Sequence, residues 1–366
     1  MKKITYLEGL RGICCFIVII DHCISIYKPD IRYTALSGLG GTIRRLIAWT
    51  PLNIIYSGIA PVCIFFILSG FVLSIKFNKT HDSSAIFNGV IKRYPRLVLP
   101  ILASMLISAL LYYILKYKTG HVIDLGFTAA ILEALYFSPF QHVQLHNYAL
   151  WTISFELYGS FIVFGLLAFF GVHRHRLVFY ALVFSFLYAW GSFYCLFVFG
   201  MMLSDLYIDN KFKIHGALRI LMFIVGIVLA TSPYERDGVY LYGGVYKYIE
   251  NINYGSYRDI YQMLMLTGSM LIFTSVLSAK FSEKLLENKF AQFLGRISFP
   301  LYVTHVCVIN IVAVIVKSYY NEIHMPIFVI LLVGTVFVCL LISYFFEKYI
   351  DLPSIKLANV FAKKIA

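Results

Sequence analysis

Apolar stretches long enough to bury themselves end to end recur along the whole of this chain, at residues 8–27, 52–75, 97–115, 148–170, 178–191, 193–208, 217–232, 260–278, 297–317 and 327–346. In hydrocarbon every backbone N–H and C=O must find its partner inside the protein, which leaves helices and closed barrels as the only spanning structures. Continuous runs of this kind lack the strict alternation of a barrel strand and read as helices. Hydrophobic residues make up 60% of the chain and charged residues 13%; with a mean hydropathy of +0.80, a soluble globular domain is excluded. The chain is therefore expected to be an all-α integral membrane protein, a bundle of about ten transmembrane helices forming one domain over residues 1–366, with lipid around it and room on its apolar surface for further copies of itself.

The formal charge of +13 raises nucleic acid as a partner, but the basic residues sort by topology instead. With the N-terminus inside, 21 of the 31 Lys and Arg fall in cytoplasmic segments, among them Lys2, Lys3, the group from Lys76 to Arg96, Lys211, Lys213 and the group after Glu347. This is the bias of the positive-inside rule. An even number of spans places both termini in the cytoplasm and removes nucleic acid from the expected partners. The first run carries Glu8, Arg11, Asp21 and His22 with no small-residue cleavage pattern after it, so it is read as a helix and not as a signal peptide. Residues 127–140 are apolar but short, and are expected to lie in or re-enter the outer interface. The tyrosine-rich stretch from Ser232 to Asp259 reads as an outer loop at headgroup level.

Polar residues inside the apolar runs mark where chemistry is possible. Arg11 and His22 are eleven residues apart, a turn of about 1,100° that leaves a net offset of about 20°, so both lie on one helix face, roughly 16 Å apart along the axis. His22 suits a general base that takes a proton from an alcohol, or else a core imidazole bonded to a neighbouring helix. Arg11 either orients an anion or oxyanion, or snorkels to the headgroups and pairs with Glu8. Asp21 lies about 80° off this stripe and reads as a helix–helix contact. Glu156, within the block that begins at Trp151 and includes Ser154, either orients an imidazole, serves as a base itself, or forms a structural salt bridge. Trp151 and Tyr148 read as interfacial anchors before substrate stackers. Ser69 and Gly70 permit close helix approach. Arg93 and Arg96 either grip phosphates or are retained on the inner side by charge. Pro300 frees backbone groups and places His305 inside the ninth helix. The seven cysteines all lie within apolar runs and read as small core residues; no metal-binding pattern appears.

Taken in order, these segments resemble the acyltransferase-3 family of bacterial membrane proteins, which O-acylate cell-surface sugars. The family opens with Arg or Lys, ten residues, then His, here Arg11 and His22. It continues with F-x-x-S-G-[FY], here Phe66 to Phe71, and R-x-x-R, here Arg93 and Arg96. A Trp-to-Glu block follows, here Trp151 to Glu156, and then I-S-[FY]-x-x-Y-x-x-H, here Ile297 to His305. The resemblance implies acyl transfer from cytoplasmic acyl-CoA, most often acetyl-CoA, to a saccharide hydroxyl at the outer face of the bacterial inner membrane, with no metal. It implies His22 as general base or acyl carrier, Arg11 beside it, and Arg93 and Arg96 on the CoA phosphates with Ser69 close by. Glu156 is then expected to partner His22, and Trp151, Ser154 and His305 to line the acceptor site. Two departures stand out. The chain ends soon after the tenth helix without the esterase-like domain some members carry, so the acceptor is expected to be reached directly. Asp21 also stands where an apolar or aromatic residue is usual. The competing class is a transporter or flippase for a lipid-linked sugar, with Arg11 and His22 along its path; an acyltransferase acting on a small-molecule acceptor is a third reading.

Overall fold

A computed structural model describes residues 4–33, 38–209, 214–234, 243–252, 257–277 and 279–365. Lys2, Lys3, Lys211, Lys213 and much of the tyrosine-rich stretch, on which parts of the topology expectation rest, lie outside the described residues. Each of the ten apolar runs coincides with a helix: α1 (Thr5–Tyr27), α2 (Ile59–Thr80), α3 (Ser84–Thr119), α4 (Trp151–Phe170), α5 (Arg176–Ala189), α6 (Tyr194–Ile208), α7 (Gly216–Ala230), α8 (Tyr257–Leu277), α9 (Lys289–Lys317) and α10 (Met325–Phe346). No strand occurs among the described residues. Among them, seven helical spans are long and apolar enough to cross a membrane, while α5, α6 and α7 are shorter; at 1.5 Å per residue these three reach only about 21–23 Å. The chain is a multi-pass membrane protein.

Two helix crossings set the frame, and both depend on missing side chains. A Cβ on Gly70 of α2 would overlap the carbonyl of Phe197 on α6, and one on Gly200 of α6 would overlap the carbonyl of Ile67. The two backbones therefore touch at a reciprocal glycine contact, the close approach that dispersion packing needs where lipid supplies no hydrophobic drive. The same arrangement recurs between α1 and α9, where Gly12 meets the backbone of Gly295 and Gly295 meets that of Glu8. This second crossing fixes His22 of α1 against His305 of α9. All seven cysteines are buried and free.

Helix α3 is longer than its apolar run, because hydropathy stops at Arg96 while the helix does not. Its 36 residues reach about 54 Å, and the polar first third carries Arg93 and Arg96 on the same continuous helix as the apolar remainder, through Pro95 and Pro100. Residues 127–140 form a short helix (Phe127–Leu132), a π-helical turn (Glu133–Phe137) and a last turn (Ser138–Phe140), together a short apolar helix of the same class as α5, α6 and α7. Buried Glu133 in this segment accepts hydrogen bonds from the Asn147 N–H at 3.0 Å and from His146, pinning the turn that leads into α4. A second π-helical turn, Glu347–Asp351, links α10 to the helix Leu352–Ile365, which packs on α3.

Candidate active site

Two cavities lie one above the other along the bundle axis. The first, about 150 Å³, is lined by Asp21, His22, Arg32, Asn53, Trp151 and Tyr302, among others. The second, about 280 Å³, is lined by Arg11, Ser69, Arg93, Arg96, Glu156 and Tyr302, among others. Their linings separate in the same sense on each helix that borders both. On α1, His22 belongs to one and Arg11 to the other; on α4, Trp151 lines the first and Thr152 and Glu156 the second. The stripe that periodicity predicts for Arg11 and His22 thus faces two successive chambers.

In the first cavity, His22 Nδ1 lies 2.8 Å from His305 Nε2, and the rings stack with centroids 5.1 Å apart. His305 Nδ1 lies 3.0 Å from the Leu301 carbonyl. A carbonyl only accepts, so His305 donates through Nδ1 and presents a lone pair at Nε2. His22 must then donate through its own Nδ1, which leaves Nε2 as the unprotonated ring atom on the side away from His305. His305 is fully buried, and its position is tied down by neighbouring contacts. The Val303 carbonyl accepts hydrogen bonds from Ser104 of α3 at 2.7 Å and from Asn147 at 3.1 Å. The Tyr148 ring closes edge-on against His22 at 5.0 Å.

Asp21 is neutralised within the same cavity. Arg32 donates to its carboxylate at 2.5 Å and to its backbone carbonyl at 3.1 Å, and the guanidinium lies 5.2 Å over the ring of Tyr56. Both members of the pair are buried, so neither leaves an isolated charge beside His22. This accounts for an aspartate where an apolar residue is expected: it serves as the counter-ion of an arginine on the loop after α1.

The second cavity is an arginine site. Arg93 donates to the Glu156 carboxylate, to Ser69 at 3.1 Å and to Ser160 at 2.5 Å, while Ser69 donates to Glu156 at 2.8 Å. Arg96 donates to Asp351 at 2.5 Å and stacks 5.1 Å over Phe299. Arg11 reaches Glu8 through Nη1 at 3.3 Å. Three guanidiniums line this chamber, each held by one carboxylate: Arg93 by Glu156 within the lining, Arg96 by Asp351 and Arg11 by Glu8 behind it.

The sequence left Glu156 as an orienter of an imidazole, a base or a structural salt bridge, and the resemblance paired it with His22. In the structure the Glu156 carboxylate is bonded to Arg93 and Ser69, and the place beside the His22 ring belongs to His305. His305 itself, expected at the acceptor, sits behind His22 without surface exposure. Ser154 is also fully buried, its hydroxyl turned back to the Trp151 carbonyl at 3.1 Å, and it lines neither cavity. Trp151 packs on Phe155 and Phe193 and borders the His22 cavity. Sequence reasoning missed Arg32, Asp351, Tyr302 and Thr152. The only local signal for any of them was the tyrosine of the motif from Ile297 to His305. Among the described residues, no group of three or more His, Cys, Asp or Glu side chains is placed to hold a metal ion.

Residues 4–344 match the family model of the acyltransferase domain, Acyl_transf_3, and the chain belongs to that family. It is an acyltransferase. Among characterised proteins it is similar to the O-acetyltransferase PaAT-1 of Phomopsis amygdali, 23% identical over 372 residues that cover 85% of this chain and 73% of that protein. No solved structure matches it.

Proposed function

We propose that this enzyme moves an acyl group, acetyl in the first instance, from acyl-CoA held at the arginine cavity to a hydroxyl of a cell-surface or lipid-linked saccharide held at the His22 cavity. The observation that carries the reading is the hydrogen-bond chain from His22 through His305 to Leu301, which keeps His22 Nε2 free to accept a proton. An alcohol bound beside Nε2 gives up its proton as its oxygen attacks the thioester carbonyl. The C–O bond forms, the C–S bond breaks, and the departing thiolate takes the proton back from the imidazolium. His305 fills the orienting role that a carboxylate plays in other base-orienter pairs. The guanidinium of Arg11, which reaches Glu8 through Nη1 alone, suits phosphate, as does that of Arg96 once it exchanges Asp351 for the ligand, while Arg93, bound to Glu156, Ser69 and Ser160, holds Glu156 in the wall.

Around this site the chain forms one domain with both termini in the cytoplasm, so that the arginine cavity opens to the cytoplasmic donor and the His22 cavity to the outer face of a bacterial inner membrane. All ten helices then cross, the three short ones where the protein thins its lipid surroundings or where loops complete the span. Trp151, beside His22, supplies an aromatic face to the saccharide. The test is to incubate purified protein with acetyl-labelled CoA and a crude glycan or lipid-linked sugar extract and follow the label by mass spectrometry. Label on a sugar hydroxyl is the expected result. Label that stays on CoA, while the protein moves a fluorescent glycolipid between leaflets, would replace this reading with transport.

A further inference from the structure

The two cavities share two lining residues, Val62 and Tyr302. Tyr302, on α9, is the larger, and its hydroxyl is tied across the boundary. It donates to the carbonyl of Ala149, which lines the His22 cavity, and lies 2.6 Å from Oγ1 of Thr152, which lines the arginine cavity. Because the Tyr302 proton goes to a carbonyl, Thr152 is the donor of the second bond. The ring is thus stretched from α9 to the start of α4 as a partition, with Val62 of α2 the other residue that borders both cavities. Donor groups and base lie on opposite faces of this partition: Arg11, Arg93 and Arg96 below it, His22 above it.

We infer that Tyr302 is the gate through which the acyl thioester passes from the arginine cavity to His22, and that its closed position seals the bundle between turnovers. The inference rests on the two-chamber reading of the proposed reaction. A reaction whose donor and acceptor approach from opposite ends needs one continuous path at the moment of transfer. A path that stayed open would admit water to the thioester and let protons run along it. Tyr302 answers both needs, because its two hydrogen bonds hold it shut and a rotation of one side chain opens it. It is a positioning residue, acting on access and not on the reacting bonds.

The test separates the gate from the chemistry. Wild type, Tyr302→Ala and Tyr302→Phe are reconstituted into vesicles holding a pH-sensitive dye, and the decay of an imposed pH gradient is followed; Phe337→Ala, at the exposed surface of α10, is the control. In parallel, acetyl-CoA hydrolysis is measured without acceptor. Removing the ring is expected to speed gradient decay about tenfold, as opening a constriction does, and to raise acceptor-free hydrolysis. Tyr302→Phe, which keeps the ring and loses both bonds, is expected to fall between, and carries the same test if Tyr302→Ala does not fold. Folded variants as tight as wild type would overturn the gate. If the alanine vesicles leak while wild type transfers acetyl to no acceptor, the partition stands and the proposed reaction fails.

Discussion

Replacing His305 by Met removes the lone pair that accepts the His22 proton while roughly preserving volume. In the structure, that acceptor lies 2.8 Å from His22 Nδ1 and is held by the Leu301 carbonyl 3.0 Å behind it. Without it, His22 is free to carry its proton on Nε2, the tautomer whose lone pair at Nδ1 points away from the acceptor, and to rotate about its terminal torsion. A neutral hydrogen bond contributes about 1 kcal/mol, which alone is roughly a fivefold change in rate. A ring displaced by about 1 Å adds up to about a hundredfold. The enzyme is therefore expected to lose about 5- to 500-fold in kcat/KM, with the KM for acetyl-CoA unchanged because His305 does not border the arginine cavity. His305→Gln restores an acceptor and recovers much of the loss. The assay is thiol detection of released CoA by detergent-purified protein that elutes as wild type does. Wild-type kcat/KM in folded His305→Met would refute the relay.

Three further outcomes follow from other parts of the structure. Asp21→Asn removes the carboxylate charge that buried Arg32 grips and is expected to cost about 3–5 kcal/mol, seen as a lower thermal midpoint in detergent, whereas Asp21→Asn combined with Arg32→Met recovers most of it. Gly200→Ala drives a methyl group into the Ile67 carbonyl at the α2–α6 crossing and is expected to cost about 1–3 kcal/mol in the same melt. Arg96→Ala removes a charged donor from the second cavity, and an acetyl-CoA titration is expected to show KM raised about tenfold, the equivalent of one charge-assisted hydrogen bond. Unchanged KM would place the phosphates elsewhere.

What the sequence revealed and what it hid divide along a physical line. Every apolar run became a helix because lipid leaves the backbone no other choice, and the eleven-residue spacing of Arg11 and His22 set both on the wall of the cavities because helical periodicity is local. The cysteines went where small apolar side chains go. The pairings did not show. His22 meets His305 across 283 residues and Arg96 meets Asp351 across 255, and no local pattern encodes such partners. Glu156 shows the cost of this: with the fold unseen, the nearest known need for a carboxylate was His22, yet its partner is Arg93 on α3. The extent of α3 was hidden for a different reason, since hydropathy reports burial in lipid and not helicity, and the polar turns before Arg96 continue the helix. The π-helical turn that carries Asp351 has no sequence signature at all.

The central claim is that the free nitrogen of His22 removes the acceptor proton. The most direct measurement is acceptor-dependent CoA release from acetyl-CoA by wild type and by folded His22→Ala, side by side in the same detergent. Loss of a general base predicts a fall of about 10²- to 10⁴-fold, with acetyl-CoA still bound at the arginine cavity. A folded His22→Ala enzyme that releases CoA at the wild-type rate would contradict the account.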